Sequence, residues 1–128
     1  MSIRIDVAIG EVVDKVTILD IKLARLTDPA QLRNVAHERA LLQAALDAAL
    51  PDQAALAALR PALQRINEQI WETEDAIRDH ERRGDFGPGF IRVARAVYHD
   101  NDERARLKRQ INEALGSAII EEKSYRPY

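Results

Sequence analysis

Between Leu56 and Ile77 apolar side chains recur at Leu56, Leu59, Leu63, Ile66, Ile70 and Ile77, three, four or seven residues apart, with Thr73 taking the turn before Ile77. An α-helix gathers such a row onto one side, and a row this long is a seam that other helices must cover. Alanine and leucine are abundant while glycine and proline number five each, so helix is the expected state for most of the chain and the fold class is all-α. Pro61 lies inside the seam and removes one helical hydrogen bond, so a kink or a short stop is expected there. Arg82 and Arg83 suit the helix C-terminus, and Gly84 supplies its cap.

The rest of the chain repeats the theme. Residues 3–9 alternate instead, with Ile3, Ile5, Val7 and Ile9 on one side, which predicts a short extended arm. A lone strand is unstable, so the arm needs the Ala118–Ile119–Ile120 segment or a second copy of the chain. After Gly10, Val12, Val16, Leu19, Leu23 and Leu26 form a helical stripe that Val13, Ile18 and Ile21 widen, so this helix is covered on more than one side. Asp28-Pro29 opens a second helix to Leu50, with Gln31 placed to complete a capping box. Pro51-Asp52 is a tight turn into the third, which is expected to start near Gln53, and predicts an antiparallel hairpin between the second and third helices. The loop GDFGPG at 84–89 leads to a short helix carrying Phe90, Val93, Ala94 and Val97. The run His99 to Glu103 is a cap-rich junction, where Asp100 or Asn101 caps a last helix bearing Leu107, Ile111, Ala114 and Ala118, ending near Gly116-Ser117. Four to five helices in a single domain over 1–128 are expected.

Composition narrows the function. The 128 residues contain no cysteine, which excludes disulfides, zinc–thiolate sites and cysteine nucleophiles. Nineteen basic against 21 acidic side chains give a net charge of -2, without the field that drives nucleic-acid binding. No stretch approaches the ~20 apolar residues of a membrane span, and the acidic start is not a signal peptide. His37, His80 and His99 show no ligand spacing, which predicts surface roles for all three.

Three blocks, GEVVDKVTILDIKLARL, INEQIWETEDAIR and FIRVARAVYHDNDERARLKRQINEALGSAIIEEKSY, resemble in order and spacing a family of small bacterial helical proteins of uncharacterised function. Its motif positions fall here on Gly10, Glu11, Asp14, Lys15, Asn67, Trp71, Asp75, Asn101, Asp102, Arg104, Lys108, Asn112 and the run Glu121 to Tyr125. The alanine-rich stretch between Asp28 and Leu59 carries none of them. The resemblance implies a bacterial cytoplasmic protein found in surface-polysaccharide and glycosyltransferase contexts. It supplies no reaction.

Three groups could carry chemistry. Glu11 with Asp14, and Glu72 with Asp75, sit three apart on two helices, the spacing by which bundles hold Mg²⁺. The all-α nucleotide pyrophosphohydrolases have a similar but denser pattern, and solvated helix faces explain this one more simply. The GDFGPG loop followed by Arg92 and Arg95 could hold an anion, but it lacks a P-loop's lysine and strand, and its glycines suit a cap and a turn. Arg104, Lys108 and Asn112 share one helix face; if it meets the tail, Arg104 and Lys108 would pair with Glu121 or Glu122 as a docking latch or a ligand pocket. Asn67, Trp71, Asp75, Arg104, Lys108, Asn112, Glu121, Glu122 and Lys123 are the ligand-site candidates. Asn67 and Asn112 each follow an isoleucine of an apolar stripe, which suggests asparagines bonding across a bundle.

These readings converge on a non-enzymatic helical interaction module, a homodimer without cofactor, accessory to surface-polysaccharide biosynthesis. The alternative is a binder of a nucleotide sugar or other phosphate ligand, or a Mg²⁺-dependent hydrolase using the helix carboxylates.

Overall fold

A computed structural model describes residues 1–128 as four α-helices without strands: α1 (Ile9–Arg25), α2 (Pro29–Ala49), α3 (Leu56–Arg83) and α4 (Pro88–Ala114). Asp28 accepts the Gln31 backbone N–H at 2.9 Å and Pro29 opens α2, as the sequence predicts. Only the Asp28 half of the capping box forms, since the Gln31 side chain does not reach back to it. Gly84 closes α3 in the left-handed conformation, φ 63°, its N–H returning to the last turn, with the Asp85 N–H on the His80 carbonyl at 3.0 Å. α3 begins at Leu56 rather than Gln53 and runs unbroken through Pro61, so the proline ends nothing.

The seam is buried as its spacing requires. Leu56, Leu63 and Ile66 join Val13, Leu46, Leu107 and Ile111 in one core, with Ile70 and Leu59 packed on its edge. The hub, however, is α1, the one helix packed against all three others. Its wide stripe puts Val13, Val16, Leu19 and Ile21 inside at once. The expected hairpin of the second and third helices is replaced by two others, α1 with α2 and α3 with α4. α2 and α3 meet only through side chains, such as Arg60 on Gln43 at 3.0 Å. The sequence turn between them is a corner: α2 lies over α1, and α3 turns away to pair with α4.

The junction expected at His99–Glu103 is also absent, and α4 is continuous. Asn101 turns its amide back onto the Val97 carbonyl, 2.8 Å, and Asp100 faces α3, accepting from Gln69 at 3.0 Å. Residues that would cap a helix start are satisfied inside one instead. The arm forms no strand and pairs with nothing in its own chain; Ile3, Ile5 and Val7 are 88%, 74% and 41% exposed.

Candidate functional site

Gly10 sets the geometry of the polar centre. A Cβ here would lie 2.5 Å from the Lys108 carbonyl oxygen, so the missing side chain lets α1 and α4 touch backbone to backbone. The Gly10 N–H donates to Asn112 Oδ1 at 2.6 Å, and Ile9 N–H to Ser117 Oγ at 3.1 Å, which caps the start of α1 from the far end of the chain. One turn further, Asp14 is fully buried. It takes both arms of Arg104, at 2.9 and 2.5 Å, and the Asn67 amide at 2.9 Å; Asn67 also reaches Thr17 Oγ1 at 2.9 Å. Bidentate pairing of this kind fixes orientation as well as charge.

The two asparagines therefore do not bond each other; each bonds to α1, Asn112 at Gly10 and Asn67 one to two turns further at Asp14 and Thr17. Lys108 is 7% exposed and grips Glu11 at 2.6 Å and Glu121 of the tail at 3.0 Å. Burial alone would pull its ammonium down, but the two carboxylates outweigh that and raise it above the usual lysine range. The hydrogen bond from Lys108 holds Glu121 below the usual carboxylate range. The hydrogen bonds to Asp14 outweigh burial at Arg104 and raise it.

The predicted latch thus forms, with different partners. Lys108 meets Glu121 as expected, Arg104 goes to Asp14 rather than the tail, and Glu122 pairs with Arg109 at 3.0 Å. Lys123 lies 3.8 Å from Glu121. Trp71 is half-buried, and Asp75 is exposed; neither joins the network. The paired carboxylates are dispersed: Glu11 to Lys108, Asp14 to Arg104, Glu72 to Arg25 at 3.1 Å, and no three acidic or histidine side chains gather around one point. The GDFGPG loop fills its own anion position, since Asp85 Oδ1 accepts the Gly87 N–H at 3.2 Å. His37 and His99 are exposed, but His80 is largely covered beside Phe90, which corrects its surface assignment.

Over the latch, α4 and the tail enclose a groove of about 740 Å³. Lys108, Asn112, Glu121, Glu122 and Lys123 of the predicted set line it, while Arg104, Asn67, Trp71 and Asp75 do not. Sequence reading missed Thr17 in the network and Tyr98, Arg106, Arg126 and Tyr128 in the groove wall. The signal was there for α4, because Tyr98, Asp102 and Arg106 step four at a time. Tyr128 returns to that face, donating to Asp102 at 2.6 Å.

Residues 3–127 match the model of a family of unknown function, DUF6165, and the chain belongs to that family. No curated protein and no solved structure shows significant similarity to it.

Proposed function

We propose that the chain is a non-enzymatic assembly module whose N-terminal arm joins two copies, in the setting of surface-polysaccharide biosynthesis. The arm itself carries the reading. Its exposed Ile3, Ile5 and Val7 alternate with Arg4 and Asp6. In an antiparallel pair of two arms centred on Ile5, Arg4 of each copy faces Asp6 of the other, and Ile3 faces Val7 on the opposite side. The segment is complementary to itself under a two-fold axis, as an isologous interface requires. A two-stranded ribbon is marginal alone, but this one is rooted on the bundle at Ile9. Ile119 and Ile120, 41% and 36% exposed, follow Ser117 at that root and offer it an apolar bed. The polysaccharide setting comes from the resemblance of the three motif blocks.

Light scattering at tens of micromolar tests it. The expected mass is twice the 14.4 kDa of one chain. Arg4→Asp places like charges opposite one another at both ends of the ribbon and should return the monomer mass. A monomeric wild type, or a dimer indifferent to Arg4→Asp, would contradict the reading.

A further inference from the structure

The groove between α4 and the tail has the volume of a small-molecule site, about 740 Å³, within the roughly 300–1,000 Å³ such sites occupy. Its charge opposes that of the chain. Five cationic side chains line it against three carboxylates, whereas the whole chain carries -2. The carboxylates are engaged, Glu121 by Lys108, Glu122 by Arg109 and Asp102 by the Tyr128 hydroxyl. Arg126 makes no ion pair, and Lys123 has only the carboxylate 3.8 Å away.

Asn112 is 2% exposed and lines the same groove. Its Oδ1 is taken by the Gly10 N–H, while its Nδ2 has no partner in the protein. The Nδ2 donors are not sealed from solvent, and in the wall of a cationic cleft they are open to an acceptor from outside the chain. Tyr125, 78% exposed, and Tyr98, 42% exposed, offer ring faces within the same walls. Cations, an open amide and aromatic faces together suit a molecule with an anionic group at one end and a flat ring at the other.

We propose that this groove binds a nucleoside diphosphate or a molecule built on one, with Arg126 and Lys123 on the diphosphate, Asn112 on an acceptor oxygen and Tyr125 against the base. The tail is then the closing wall of the site, held by the Glu121–Lys108 and Glu122–Arg109 pairs.

Calorimetric titration of the full chain with ADP and UDP, against pyrophosphate and the free nucleosides, is the test. The diphosphates should bind about tenfold more tightly than either half alone. Arg126→Glu should weaken them by about tenfold or more, and Tyr125→Ala by about fivefold. Both side chains are exposed, so the melting temperature of each variant should match wild type. Absence of binding at millimolar nucleotide would overturn the proposal. So would affinity unchanged in Arg126→Glu, or pyrophosphate binding as tightly as the nucleotides, which would make the groove a plain anion site.

Discussion

Gly10 and Asp100 show how single residues set the terms of this fold. At Gly10, an added methyl would meet the Lys108 carbonyl oxygen at 2.5 Å and Asn112 Oδ1 at 2.9 Å. The first is backbone and cannot swing aside. Gly10→Ala should therefore destabilise by about 2 kcal/mol in urea unfolding, despite alanine's better helix propensity. Asp100 is the converse case. It is 7% exposed and bonded to the neutral Gln69 and Thr73, with no cation paired to it. Burial raises its carboxyl above the usual range. A carboxyl raised on folding stabilises most when protonated, and that contribution is lost as the pH climbs through its folded value. At neutral pH its charge is thus a cost, and Asp100→Asn should raise the urea midpoint. The gain should shrink as the pH falls into Asp100's own titration range, and an effect independent of pH would contradict the assignment. The apolar residues of the core were legible from spacing alone. Asp100 was not, since an acid beside an asparagine reads as a cap until a neighbouring helix supplies its partners.

Helices differ in how much of the bundle holds them. α1 buries seven residues, Gly10, Val13, Asp14, Val16, Thr17, Leu19 and Ile21. α2 buries only Val35 and Leu46, and α1 is the one helix whose backbone it approaches closely. Few buried contacts make an element the first to open. Amide hydrogen exchange should therefore run fastest in α2 among the four helices and slowest in the parts of α1 and α3 around Asp14 and Asn67. Equal protection of α2 and α3 would count against this layering. The helix pattern was plain in the sequence, including both glycine-turn ends and the Asp28 cap. Pairing was not. A two-residue turn signal at Pro51-Asp52 suggests a hairpin, but side-chain stripes on α1 wide enough for three neighbours draw α2 and α3 to different faces. The continuity of α4 was hidden for a similar reason, because Asn101 satisfies its side chain within the helix.

At the scale of the whole molecule, six of the nineteen buried residues are polar or charged. Asp100 joins α4 to α3, and the other five tie the start of α1 to the middle of α3, to α4 and to the tail, so distant parts of the sequence meet at α1. The candidate site was half legible. Shared helix faces foretold Lys108, Asn112 and the Glu121 contact, whereas Trp71 and Asp75 sit on faces that turn away from it. What the network leaves outside is the arm, with apolar residues exposed and charges in self-complementary order. The sharpest test uses two variants, Arg4→Asp and Asp6→Arg, each of which sets like charges against like in a pair of arms. Separately, each should scatter light as a monomer. Mixed in equal amounts, the all-acidic arm meets the all-basic one, and the mass should return to twice that of a single chain. A mixture that stays monomeric, or single variants that dimerise unaided, would contradict assembly through the arm.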